Sequence, residues 1–299
     1  MSLSKIELSI IIISYNTAPI TVNCINSIFN SFKKTDIFEV VIIDNASTDN
    51  TLEELKKLQK TYQNARIVGN SENVGFARAN NQAVKLAQGK YLLFLNSDIL
   101  VLDDAIEKLL DFYKSNEKSI NFLGGKLLNK DLSPQSSCGP FYSLPVIFAA
   151  LFLRGDYWGL TRYSPNKKKS VDWISGACIL TTRQEFDRLE GFDENIFMYM
   201  DEIDLLYRAK KMGATVFFYP NSRFIHLGSA SSAKRTYPIL QVYKGFIYFY
   251  KKHYSFFSNK LLIFMLKLKA LVAIIIGKIS NNNYLIETYE KAYKMVQMD

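Results

Sequence analysis

At 299 residues with 48% hydrophobic content, the chain carries enough apolar material for one large α/β domain or two small ones, which excludes a disordered or fibrous protein. Its net charge of +9 suits an anionic partner, whether nucleic acid, membrane surface or phosphorylated substrate, and does not choose among them. Cys24, Cys138 and Cys178 are scattered and lack the paired spacings of a disulfide framework or zinc knuckle, a pattern that favours a reducing, cytoplasmic setting.

The first apolar run, Leu8–Ile13, follows Lys5 and Glu7, is short and has no small-residue cleavage site after it, so the mature protein is expected to start near Met1. From Leu8 to Leu128 short apolar runs alternate with segments of helical period, the pattern of a parallel sheet with crossover helices. Strands are predicted at Leu8–Ser14, Phe38–Asp44, Ala65–Gly69, Tyr91–Asn96 and Asn121–Leu128. Between them, apolar residues at helical spacing predict helices around Ile25–Phe32, Leu52–Leu58, Ala79–Leu86 and Ile106–Tyr113. Thr51 with Glu54 forms a candidate capping box, Gly89 suits a helix C-terminus and Asp103 suits an N-cap. Residues 129–172 lose this rhythm and, with Pro134, Pro140, Pro145 and Pro165, read as a long functional loop or lid. Order resumes with a strand Trp173–Thr181, a helix from about Met198 to Met212 closed by Gly213, and a strand Thr215–Tyr219 ending at Pro220.

After Thr236 the pattern is helical throughout and interleaves Tyr and Phe with Lys244, Lys251, Lys252, Lys260, Lys267 and Lys269; Lys234 and Arg235 precede it. The run Leu261–Ile276 falls short of the ~20 residues a membrane span requires and holds two lysines. It fits a helix docked on the protein, a dimer interface, or a helix lying in the headgroup region of an anionic membrane.

In open parallel sheets ligands sit beyond the carboxyl ends of the strands. Here those ends are acidic and amidic: Ser14-Tyr15-Asn16, Asp44-Asn45-Ala46-Ser47-Thr48-Asp49, Asn70 and Asn73, and Asn96-Ser97-Asp98. No glycine-rich dinucleotide loop follows the first strand and no Walker lysine loop occurs, so phosphates would be met by a metal. Taken alone Asp98 reads as a cap of the next helix, but with Asp44 on an adjacent strand end and Asn-rich turns between them, its place at the mouth of a buried strand suits Mg2+ or Mn2+. Asp201, Glu202 and Asp204 crowd three carboxylates at a helix start, where they either favour the helix dipole or raise one another's pKa toward that of a general base. His226, one of two histidines, stands beside a glycine-containing turn as a structural residue or a ligand.

In their order and spacing these residues resemble the inverting family-2 glycosyltransferases of the GT-A fold, and most closely the bacterial rhamnosyltransferase-like branch. The resemblance runs from about Leu8 to Ser232 and includes Asn73-Val74-Gly75-Phe76-Ala77 with Asn80-Asn81, Trp173-Ile174-Ser175-Gly176-Ala177, Gly191-Phe192-Asp193 and Asp201-Glu202-Ile203-Asp204-Leu205. It implies an α/β fold with a mostly parallel central sheet flanked by helices. The catalytic domain would occupy residues 1–236, with a nucleotide-binding half 1–128 and an acceptor-side half 129–236, and a helical extension would occupy 237–299. By the same resemblance Tyr15 packs near the base, Asp44 accepts from its imide, and Asn73 and Asn80 line the nucleotide pocket. Asn96-Ser97-Asp98 stands in place of the Asp-x-Asp motif, with Asp98 and His226 on the metal, while Trp173 and Gly176 border the acceptor. Where the branch carries Glu-Asp, this chain carries Asp201-Glu202; by position Glu202 is the base, and Asp201 is the alternative.

The expected protein is therefore a metal-dependent enzyme of bacterial surface polysaccharide synthesis. It would move a sugar from a dTDP-rhamnose-like or UDP-hexose donor to a glycan or lipid-linked acceptor, at the inner face of the cell membrane. The rival is a catalytically silent nucleotide-sugar-binding protein. Nucleic acid is not expected as a partner, because no recognised binding motif accompanies the charge.

Overall fold

The computed structural model describes residues 6–32, 37–228 and 236–297; Met1, Lys5, Ser232, Lys234 and Arg235, named above, lie outside them. The first half alternates as predicted: β1 (Leu8–Ser14), α1 (Ala18–Ser31), β2 (Phe38–Asp44), α2 (Thr51–Thr61), β3 (Ala65–Gly69), α3 (Phe76–Leu86), β4 (Tyr91–Asn96), β5 (Ile99–Val101), α4 (Ala105–Ser115) and β6 (Phe122–Leu128). Then come β7 (Cys138–Gly139), α5 (Leu144–Phe152), β8 (Lys169–Ser170), β9 (Trp173–Ile174), β10 (Cys178–Thr182), α6 (Arg183–Arg188), α7 (Asp201–Lys211) and β11 (Val216–His226), followed by the C-terminal α8 (Thr236–His253), α9 (Phe256–Ile279) and α10 (Asn283–Gln297). Among the described residues no helix is long and apolar enough to cross a membrane.

The main sheet runs β3-β2-β1-β4-β10-β6-β11-β5, with β8 also paired to β11. Strands β1, β2, β3 and β4 are mutually parallel, as are β6 and β11, while β10 lies antiparallel between β4 and β6. Both faces are covered, which is why β1 and β2 read as continuous apolar runs. Ile10 and Ile12 point to the side packed by α1, α2 and α4; Ile11 and Ile13 point to the side packed by α3, α6, α7 and the C-terminal helices. The chain moves outward from β1 to β3 and then returns to place β4 on the other side of β1, so a crevice opens at the carboxyl ends of these two strands.

Several local expectations are corrected. The predicted strand Trp173–Thr181 breaks at Ser175-Gly176-Ala177: β9 pairs with β7 in a separate two-stranded sheet and only β10 joins the main one. Pro220 does not end the next strand. It sits where the register of β11 against β6 shifts between Tyr219 and Arg223, an irregularity in which no ladder N–H is required. Residues 129–172 are not a bare loop, because Pro145 stands in the first turn of α5, where proline is tolerated. The capping box also fails to form, since Asn50 is the N-cap of α2 and Asp49 accepts from the Thr51 hydroxyl and amide. Asp104, not Asp103, is the N-cap of α4, and α3 ends at Leu86 ahead of Gly89.

Candidate active site

A cleft of about 740 Å³ opens at the crevice between the ends of β1 and β4, a volume suited to a ligand of nucleotide-sugar size. Tyr15, Thr17, Asn45 and Asn73 line one end; Asn96, Ser97, Asp98 and His226 line another part; Gly176, Asp201 and Glu202 close the far wall. The strand ends are tied together beneath it. The amide of Asn16 donates to Ser47 Oγ (2.8 Å) and its side-chain oxygen accepts from Thr48 N (2.8 Å). Asn45 accepts from Asn70 Nδ2 (3.0 Å) and Val74 N (3.2 Å) and donates to Asn73 (2.9 Å), which fixes the loop leading into α3.

Asp98 occupies the turn between β4 and β5 and caps no helix; α4 begins only at Ala105. Antiparallel pairing of β11 with β5, in which His226 faces Ile99, carries the histidine to it, so that Nε2 lies 3.3 Å from Asp98 Oδ1. Gln135 sets the ring: its amide nitrogen donates to Asn129 Oδ1 (3.0 Å) and to the His226 carbonyl (3.2 Å), which turns Oε1 toward Nδ1 at 2.6 Å. With Nδ1–H donating there, the Nε2 lone pair faces the cleft beside the carboxylate. A carboxylate oxygen and an imidazole nitrogen so placed fit a divalent cation whose remaining positions are filled by phosphate and water. Among the described residues no group of three or more His, Cys, Asp or Glu converges as a metal cage, so the protein offers a pair.

The opposite wall is the start of α7. Tyr199 and Met200 both hold left-handed backbone (φ 62° and 68°), a conformation that costs roughly 1–3 kcal/mol per non-glycine residue and turns the helix start into the cleft. Its three acids divide. Burial, then the charges of Glu202 and Asp204, push the Asp201 carboxyl well above the usual range. Burial also raises Glu202, against hydrogen bonds from backbone amides including Gly176 and the charge of Arg162. Both carboxylates line the cleft, and Glu202 is the less buried of the two. Asp204 is structural: burial would raise it, but hydrogen bonds from His253 (2.7 Å) and Lys252 (2.8 Å) and the Arg208 charge (2.7 Å) hold it below the ordinary value.

Not every expected residue reaches the wall. Asp44 is fully buried and its two oxygens accept from Ser47 Oγ (2.6 Å) and Ser47 N (3.0 Å), so it shapes the turn that presents Asn45. Asn80 is buried in α3 and donates to the Phe76 carbonyl (2.9 Å). Trp173 is buried with its indole N–H on the Pro140 carbonyl (2.8 Å), which leaves Gly176 alone of the acceptor-side pair on the cleft. Conversely, the cleft includes Gln135 and Arg162, which were not expected. Both come from residues 129–172, where no periodicity or motif marks them. Arg162 is held by Asp156 (2.7 Å).

Comparison with known proteins bears on the family and the fold. Residues 9–134 match the family described as glycosyl transferase family 2. The poly(ribitol-phosphate) β-glucosyltransferase of Bacillus spizizenii is 32% identical over 122 residues, 40% of this chain but only 19% of that protein. The N-acetylglucosaminyl-diphospho-decaprenol L-rhamnosyltransferase of Mycobacterium tuberculosis is 27% identical over 214 residues, 65% of this chain and 68% of the relative. Among solved structures, a mannosyltransferase from Pyrobaculum calidifontis in complex with GDP-Man and Mn2+ shares the fold, with a TM-score of 0.59 and 16% identity over 96% of this chain and 73% of that one.

Proposed function

From a glycosyl transferase family 2 domain at residues 9–134, set in a GT-A fold, we propose that this protein transfers a sugar from a nucleoside-diphosphate donor to an acceptor hydroxyl with inversion at the anomeric carbon. The observation that carries the proposal is one cleft lined both by the Asp98–His226 pair and by Asp201 and Glu202. The donor's base lies toward Tyr15, Thr17, Asn45 and Asn73, and its diphosphate lies over Ser97 and Asp98. Asp98 and His226 would hold Mn2+ or Mg2+, whose positive charge would offset that of the departing diphosphate.

Glu202 takes the proton from the acceptor hydroxyl, and the oxygen's electron pair forms the new bond to the anomeric carbon as the bond to the diphosphate breaks on the opposite face. Burial raises both carboxyls, and with the charges of Glu202 and Asp204 it raises Asp201 well above the usual range, which favours Glu202 as the group that ionises. Arg162 lies on the same cleft wall, close enough to bias Glu202 toward its charged form. By likeness to its relatives the donor is dTDP-rhamnose-like or a UDP-hexose, and the acceptor a glycan or lipid-linked saccharide of bacterial surface polysaccharide synthesis. Residues 1–236 form the catalytic unit and 237–299 its helical extension.

Slow hydrolysis of the donor in the presence of Mn2+ provides an acceptor-free test. Asp98→Asn should lower turnover by roughly two orders of magnitude, the equivalent of a few kcal/mol of lost charge stabilisation. Transfer to an acceptor should fall ~10²–10⁴-fold in Glu202→Gln. Near-normal rates in both variants would sink the mechanism, and no hydrolysis by the parent with any nucleotide sugar would favour a silent binder.

A further inference from the structure

Helix α9 is apolar on the face it buries and also on the face it shows. Leu262, Leu266 and Ala270 pack inward, while Phe257, Leu261, Phe264, Leu268, Ile275 and Ile279 recur at helical spacing on the outer side, with Phe257 78% and Ile279 80% exposed. A surface helix of an ordinary globular protein turns polar residues outward. At 1.5 Å per residue this stripe runs for about 33 Å, longer than an incidental surface patch. Helix α5 packs against α9, and the segment that follows it presents Tyr157 and Trp158 at 71% and 68% exposure, with the Arg154 guanidinium 5.0 Å from the Tyr157 ring.

The charge on this face has one sign. Helix α9 carries Lys260, Lys267, Lys269 and Lys278 and no carboxylate. An isologous contact with a second copy would set this stripe against itself, lysine near lysine, with no counter-charge. An anionic lipid surface supplies both what the stripe lacks and what the lysines need: acyl chains beneath and phosphates around them. Exposed Tyr and Trp beside Arg are the residues that settle at the headgroup level.

We propose that α9, together with α5 and the Tyr157–Trp158 segment, docks on an anionic membrane, α9 lying in the interface rather than crossing it. The docking stands independently of the proposed reaction. It also bears on it, because the segment runs on within a few residues to Arg162 in the cleft wall, so an acceptor carried by lipid would be presented beside Glu202.

Flotation of the full chain with phosphatidylglycerol or phosphatidylcholine vesicles tests the proposal. Binding to the anionic vesicles should be about tenfold or more tighter at low salt, and Trp158 emission should shift to the blue, a shift lost in Trp158→Phe because Trp173 is buried. The double variant Leu268→Glu/Ile275→Glu should weaken binding about tenfold or more, as should Lys260→Glu/Lys278→Glu, which alters only exposed side chains and guards against a folding defect. Unchanged donor hydrolysis by these variants keeps this test separate from that of the catalytic mechanism. No partition onto phosphatidylglycerol, binding by both variants as tight as the parent's, or a solution dimer that the first variant splits would each overturn the proposal.

Discussion

Gln135 touches no expected ligand, yet it decides which nitrogen of His226 faces the cleft. Groups that orient a metal-binding histidine in this way are worth about 10–100-fold in metal affinity. Gln135→Leu should therefore weaken Mn2+ binding by that factor in isothermal titration with a nucleoside diphosphate present; unchanged affinity would show that the ring needs no such restraint. The acid pair makes a second prediction at this scale. Because Glu202 must be ionised to accept a proton and burial raises its pKa, the acid limb of kcat/KM should lie above the ~4.3 of an ordinary glutamate, and Asp201→Asn should retain that limb. For Asp201 the folded pKa exceeds the unfolded one, so its contribution to stability is full below the ordinary aspartate range of about 4 and is lost as pH rises toward the folded value. Asp201→Asn abolishes this loss, and denaturant unfolding should find the variant more stable than the parent at pH 7 but not at pH 4. The sequence already singled out three residues that line the cleft: Asp98 just past a predicted strand, Glu202 in the acidic first part of a predicted helix, and His226 beyond the strand that was expected to end at Pro220. Gln135 and Arg162 do not stand out, because a side chain in an irregular segment has no period to betray which way it points.

The start of α7 illustrates the element scale. Its two left-handed residues are held from below by α8, where a Cβ on Gly245 would lie 2.7 Å from Met200 Cγ and 3.0 Å from Met200 Cβ. Gly245→Ala should therefore displace the Met200 turn, cost about 1–3 kcal/mol as overpacking does, and lower kcat because Glu202 is carried on the same turn. Unchanged melting temperature and kcat would show that α8 exerts no hold on the turn. The same helix is anchored through Asp193, which accepts from Tyr248 (2.7 Å) and Lys252 (2.7 Å), and through Asp204. Two motifs that the sequence associates with the site thus serve to dock the C-terminal helices. Strands β1 to β4 were legible to the residue because short, largely apolar runs are separated there by segments of helical period. Strand β11 was misread because proline ends a regular ladder but is accommodated at an irregularity, and the irregularity is set by the neighbouring strand.

At the scale of the whole molecule, the C-terminal helices are part of the core. Phe249, Tyr250, Leu262 and Leu266 are buried in the same cluster as Ile11, Ile13, Val41 and Ile43 of the sheet. Burial of each large apolar side chain contributes about 1.5–3 kcal/mol, so their loss together rivals the 5–15 kcal/mol by which domains of this kind are stable. A chain truncated after Thr236 should aggregate or lose its cooperative melt, as size-exclusion chromatography and circular dichroism would report; a monodisperse, cooperatively melting truncate would show two independent units. The sequence by itself determined the alternation of strands and helices, the acidic and amidic strand ends and the apolar, basic C-terminus, because these are local patterns with a fixed period or a fixed boundary chemistry. Only the tertiary structure decided that His226 stands beside Asp98, that Asp44, Asn80 and Trp173 lie outside the cleft lining, and that Asp204 faces α8 while Glu202 lines the cleft. Such assignments depend on strand register and on the direction of each side chain; for His226 the register is fixed by β5, more than a hundred positions away in the sequence.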